Sequence, residues 1–123
     1  NDRSQLAECA AFMRDRINHE HMLNGVTMID PTTTWIDADV KIEKDVTIFP
    51  ATAISGKSTI ATGSVIGPRT TLVDCQVGPN ASIIESFATD SKIGALAKVG
   101  QGLHMFGGHD WQQQWREGPQ CPL

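Results

Sequence analysis

No tyrosine occurs among the 123 residues, and only four Phe and three Trp are present, so any core is built from small and aliphatic side chains. Positive charge is also scarce: ten Lys and Arg stand against fourteen Asp and Glu, for a formal net charge of -4. That balance disfavours binding to nucleic acid or to an anionic membrane surface, because either would repel the chain, and no basic cluster offsets it. Cysteine is limited to Cys9, Cys75 and Cys121, an odd number without metal-like spacing. This argues against a disulfide framework or a zinc site and for a reduced, cytoplasmic setting. No apolar run approaches the roughly 20 residues needed to cross a bilayer, and the first residues carry neither a basic leader nor an apolar stretch. Phosphate loops and nucleophile elbows are missing as well.

What is present begins with a helix. Leu6, Ala10, Met13 and Ile17 recur at helical spacing between residues 2 and 24, with Arg14, Asp15, Asn18 and Glu20 off that stripe. Asp2 suits an N-cap, Gln5 completes a capping box, and Asn24-Gly25 supplies a stop. Residues 26–35 then read as an extended link around Asp30-Pro31.

A repeat follows. Ile36, Ile42, Ile48, Ile54, Ile60, Ile66 and Leu72 stand in strict period six; with one residue deleted the series reaches Val77 and Ile83, and after a four-residue insertion it resumes at Ile93 and Val99. Four residues after most of these stands a small or β-branched side chain: Val40, Val46, Thr52, Ser58, Ser64, Thr70, Ala81 and Ala97. Gln76 breaks this second series. A triangular coil explains both series, since each hexad is a short strand plus a corner, the aliphatic residue points into a narrow prism, and the small residue lets the chain bend. An antiparallel sheet would show period-two alternation and would not explain the small partner. Three hexads close one turn, and turns stack at about 4.8 Å through parallel pairing. The expected fold is mainly β: a parallel β-helix over 36–102, just under four coils, preceded by one α-helix within 1–25. From Leu103 no period of six is evident, and 103–123 reads as an atypical tail, disordered or capping the last coil through Trp111 and Trp115.

The repeats contain no histidine, which removes the base or metal ligand that acyl transfer or hydration chemistry on such coils requires. His19 and His21 lie two apart on a helix and so on different faces. His104 and His109, beside Gly107, Gly108 and Asp110, have no frame that would make them a metal site. From the residues alone, no catalytic or cofactor-binding group is assigned.

Asn1-Asp2-Arg3-Ser4-Gln5-Leu6-Ala7, Arg14-Asp15-Arg16-Ile17, Gly25-Val26-Thr27-Met28-Ile29-Asp30-Pro31 and Ile36-Asp37 together resemble one family. It is the bacterial bifunctional N-acetylglucosamine-1-phosphate uridyltransferase/glucosamine-1-phosphate acetyltransferase, and the resemblance covers roughly residues 1 to 100. It implies the end of a uridyltransferase domain, a helical arm, and the first coils of a left-handed, homotrimeric β-helix. It also implies a cytoplasmic enzyme of cell-wall precursor synthesis that acetylates glucosamine 1-phosphate from acetyl-CoA, then couples N-acetylglucosamine 1-phosphate to UTP with Mg²⁺. Asn1 matches an asparagine that helps hold the magnesium, an incomplete site without carboxylates. The family's acetyltransferase residues follow the position of Val99-Gly100, where Gln101 onward departs from the pattern. The chain alone is therefore expected to be inactive in both reactions. One account of the departure is a reading-frame slip near Gly100; the alternative function is a non-catalytic trimerisation module.

Overall fold

The computed structural model describes residues 2–100 and 102–107, and the backbone of residues 110–111. Helix α1, Arg3–Leu23, is followed by a 3-10 turn at Pro31–Thr33 and by short strands of two to four residues. The N-cap forms as the sequence dictates: Asp2 Oδ1 accepts the Gln5 N–H at 2.9 Å, and Gln5 Oε1 accepts the Asp2 N–H at 3.2 Å. At the other end, Asn24 caps the helix and Gly25 takes the left-handed conformation, φ 96°.

The strands wind into a parallel β-solenoid of three five-stranded sheets, one per face of a triangular prism. The first face stacks Thr27–Met28, Thr47–Ile48, Val65–Ile66, Ser82–Ile83 and Lys98–Val99. The second stacks Thr34–Ile36, Thr52–Ser55, Thr70–Val73, Phe87–Thr89 and His104–Met105. The third stacks Lys41–Ile42, Thr59–Ile60, Gln76–Val77, Lys92–Ile93 and Asp110–Trp111. Five rungs make four steps, about four turns and about 19 Å of rise at the spacing of hydrogen-bonded strands. This is the architecture the hexapeptide period implies, and it fits the left-handed β-helix class.

The aliphatic series is the core. Ile48, Ile54, Ile66, Leu72 and Ile83 are fully buried, and Val77, Ile93 and Val99 nearly so. Ile42, on the first rung of its face, is half-buried. The small residues also face inward, and the hydroxyls among them tie one rung to the next. Ser58 Oγ donates to Ser55 O at 2.8 Å and accepts the Cys75 N–H at 3.0 Å; Ser64 Oγ donates to Gly78 O at 2.8 Å and accepts the Ala81 N–H at 3.1 Å. A buried corner hydroxyl is thus fully satisfied, which is why serine and threonine are tolerated there.

Register corrects the sequence reading in two places. At the shortened step from Leu72 to Val77, the buried partner is Cys75, two residues before Val77, and Gln76 points outward. Between Ile83 and Ile93 there is no four-residue insertion. Ala88, fully buried and paired with Leu72, makes two five-residue steps, with Ser86 and Ser91 as the small partners. The period also runs past the expected stop at Leu103. Met105 is fully buried and pairs with Ala88, and Trp111 pairs with Ile93, so Ile93, Val99, Met105 and Trp111 are again six apart. At the other end, Thr27–Met28 pairs with Thr47–Ile48, and Thr34–Ile36 with Thr52–Ile54. Parallel pairing therefore extends on both sides of the span marked by the apolar period.

The corners repeatedly use the left-handed region. One corner stacks Gly25, Asp45, Gly63, Asn80 and Leu96; the next holds Ala51, both Gly67 and Arg69, Glu85 and Gly102; the third, Gly56, Asp74 and Asp90. Gly, Asn and Asp suit this conformation, whereas Leu96 and Ala51 adopt it at a steric cost.

Candidate functional site

Two regions carry side chains that packing inside the prism does not account for: the junction between α1 and the first rung, and the outer sheet faces. At the junction, Asn18 is the single fully buried residue of α1. Its Nδ2 donates to Pro31 O at 2.9 Å and to Thr34 O at 3.0 Å, fixing the helix onto the 3-10 turn and the strand after it. Arg14 donates from Nη1 to Thr32 O at 3.0 Å, and its guanidinium lies 4.9 Å from the centre of the Trp35 ring. Asp30 organises the turn by accepting from Thr32 N–H and Thr32 Oγ1–H, and the Thr32 hydroxyl, with smaller help from Thr33 and Arg14, holds its carboxyl below the usual range. Ile17 packs against the core beneath. The helix thus covers the open end of the prism with one apolar contact and several directed hydrogen bonds.

The outer faces differ chemically. The second face presents Trp35, Ala53, Thr71, Phe87 and His104 in one line, as the register dictates. Phe87, His104 and Phe106 gather at its far end, with ring centres 6.0 to 6.3 Å apart. The first face adds Ile29 and Ile84, both exposed. The third face instead aligns Lys41, Thr59, Gln76 and Lys92. The outward line of the first face is otherwise Thr27, Thr47, Val65, Ser82 and Lys98, so the second face alone is apolar along its length and suited to meet another protein surface.

The candidate residues named from sequence are dispersed. Asn1 lies outside the described residues, as do His109 and Trp115. His19 is exposed on α1, while His21 is half-buried; desolvation lowers its pKa, and the neighbouring Glu20 opposes that only in part. His104 belongs to the aromatic cluster. Among the described residues no group of three or more His, Cys, Asp or Glu side chains could hold a metal ion. Asp2, next to Asn1, already uses its Oδ1 as the helix cap, and its carboxyl is held low chiefly by the Gln5 N–H. A magnesium ion wants several oxygen donors in octahedral array, and the described residues do not provide them. Cys75 is no nucleophile either. Its buried Sγ lies 3.3 Å from Ala88 O and 3.4 Å from Val73 O, and desolvation raises its pKa.

Sequence reasoning missed Asn18, which lies off the apolar stripe and reads as surface. Its role depends on tertiary docking, which leaves no local signal in the sequence. Among the described residues, no helix is long and apolar enough to cross a membrane.

No protein-family model matches the chain. Individual relatives do. A bifunctional protein GlmU from a Geobacillus species is 45% identical over 105 residues, 85% of this chain and 23% of that protein. Its namesake from Mycobacterium marinum is 49% identical over 100 residues, 81% of this chain and 20% of that protein. The one from Corynebacterium diphtheriae is 45% identical over 100 residues, 81% and 21% respectively. The chain thus spans about a fifth of the length of the relatives it matches. Identity at this level along a helix, a junction and a solenoid makes this chain a relative of the bifunctional GlmU proteins that corresponds to one segment of them.

Proposed function

We propose that the chain is the arm-and-scaffold segment of a cytoplasmic bifunctional transferase that makes UDP-N-acetylglucosamine for the cell wall. In the parent, acetyl passes from acetyl-CoA to glucosamine 1-phosphate, and uridyl transfer from UTP to N-acetylglucosamine 1-phosphate follows with Mg²⁺. The observation that carries this reading is the joint match of helix, Gly25-to-Pro31 junction and hexapeptide coils to one segment of such proteins. This segment's contribution is architectural. The solenoid presents a rigid set of faces, and the Asn18 junction sets the angle of the arm. No residue here is assigned a catalytic step, and none is routed through magnesium, whose donors the described residues do not supply.

The apolar second face, with Trp35, Ala53 and Phe87 in line, supports self-association, in keeping with the homotrimer that the family resemblance implies. A non-catalytic trimerisation module is the second reading, in keeping with the apolar line on the second face. Two measurements test these readings together. The purified 123-residue chain is expected to show no uridyl transfer and no acetyl transfer above background, and its mass by light scattering is expected near 40 kDa, three times 13.3 kDa. Turnover in either assay overturns the scaffold reading; a concentration-independent monomer overturns the trimer.

A further inference from the structure

The corner between the first and second faces is flanked on both sides by apolar side chains. On the first-face side, the residues that follow the inward Met28, Ile48 and Ile83 are Ile29, Phe49 and Ile84. Ladder bonds keep them in line: the Ile29 N–H donates to Ile48 O, the Phe49 N–H to Ile66 O and the Ile84 N–H to Val99 O. Ile29 is 54% exposed and Ile84 36%, while Phe49 is half-buried. On the second-face side of the same rungs stand Trp35, Ala53 and Phe87, with Trp35 44% exposed and Phe87 37%. The rung between them has only Gly67 and Thr71 in these two lines, and there the corner carries charge instead. Arg69, with its side chain 66% exposed, pairs with Glu85 on the next rung. The other two corners differ. One holds Asp45 and Asn80 among its left-handed residues, with Leu96 its exposed apolar side chain. The other holds Asp37, Asp74 and Asp90, whose carboxylates are of one sign.

We propose that copies of this chain associate with their prisms parallel and this corner turned towards a common three-fold axis, so that the first-face flank of one copy meets the second-face flank of the next. The placement rests on the self-association already proposed and names the edge through which it occurs. A contact between two different patches, repeated by rotation, closes as a ring, and a corner apolar on both flanks supplies both patches at once. Charge selects the occupant and its direction. In a parallel ring, Arg69 of each copy stands within one rung of Glu85 of its neighbour, so the charges at the axis are equal in number and opposite in sign. In an antiparallel pair centred on the same four rungs, Arg69 would face the rung of Ala51, and Glu85 would face the turn organised by Asp30, a like charge. The corner of Asp37, Asp74 and Asp90 would repel its own copies in the parallel arrangement, since each carboxylate would meet its like.

Light scattering of the full chain over a concentration series tests this, with two glutamate substitutions at exposed positions. Ile84→Glu at the corner is expected to weaken self-association by about tenfold or more, whereas Thr59→Glu on the third face leaves it within about twofold. Arg69→Glu and Glu85→Arg are each expected to disperse the assembly, and the double variant to restore it. An exposed pair contributes little to the stability of one chain, so thermal midpoints of the dispersed variants stay close to that of the wild type. A thiol placed at the tip of the corner reports the symmetry. With Cys9→Ser and Cys121→Ser in the background, Ala51→Cys treated with a short bismaleimide is expected to give a covalent dimer on denaturing gels and to stop at about two thirds of the chains, because one thiol in each ring is left over. A trimeric wild type that Ile84→Glu leaves intact, a double charge variant that stays dispersed, or an Ala51→Cys chain that gives no dimer overturns this placement and leaves self-association standing. A monomeric wild type overturns the self-association reading, and this placement with it.

Discussion

At the residue scale, the inward side chains and the corner residues make different demands. Ile54 is fully buried between rungs above and below, so Ile54→Ala is expected to cost about 2–5 kcal/mol through lost transfer energy and the cavity left behind, read as a fall in denaturation midpoint. The corners respond to backbone geometry. Leu96 holds φ 66° while half exposed, so its side chain contributes little to the core and forces the strained conformation. Leu96→Asn is expected to stabilise by about 1 kcal/mol, seen as a higher thermal midpoint. The opposite holds at Gly56, φ 70°, where a Cβ would lie 2.0 Å from Asp74 Oδ1, the acceptor for the Lys57 N–H. Gly56→Ala is expected to destabilise, because the conformation and the neighbouring carboxylate both resist it.

At the element scale, α1 depends on the junction. Asn18→Ala removes the donor to Thr34 O and one of two donors to Pro31 O, which keeps the Thr34 N–H, and is expected to cost about 1–3 kcal/mol. Hydrogen exchange should show the loss in residues 3–23 before it shows in the middle rungs, since the helix is the less anchored unit. His21 links the same docking to pH. Burial favours its neutral form, so its pKa in the folded chain lies below the ordinary value of about 6.5. The contribution is fully present above that ordinary value and is lost as pH falls through it towards the depressed folded value. Thermal midpoints measured from pH 7.5 to pH 5 should fall less in His21→Gln than in the wild type. The caps of α1 were legible in sequence because Asp2, Gln5 and Gly25 act within a few residues of themselves. The docking residue was not, because Asn18 meets carbonyls 13 and 16 residues away.

At the scale of the whole molecule, a solenoid is a stack in which each rung meets its neighbours alone. Leu72 and Met105 are equally buried, yet Leu72 sits in the middle rung of its sheet and Met105 in the terminal one. Met105→Ala is therefore expected to destabilise less than Leu72→Ala, and a double variant should be additive within about 0.5 kcal/mol.

The sequence by itself determined the stacked-coil architecture, because an inward side chain every sixth residue is a local property of strand and corner and survives without knowledge of any partner. It also determined both ends of the helix and, through the Gly25-to-Pro31 junction, the kinship with bifunctional transferases. The tertiary structure alone decided where the short steps fall. Whether a rung takes five residues or six depends on the rung below, since Ala88 is inward because it pairs with Leu72 and not because of anything adjacent to it. The same pairing carried the coil through Met105, where a sequence poor in aliphatic residues had hidden the period, and it lined up Trp35, Ala53, Thr71, Phe87 and His104 into a face that no local pattern announces.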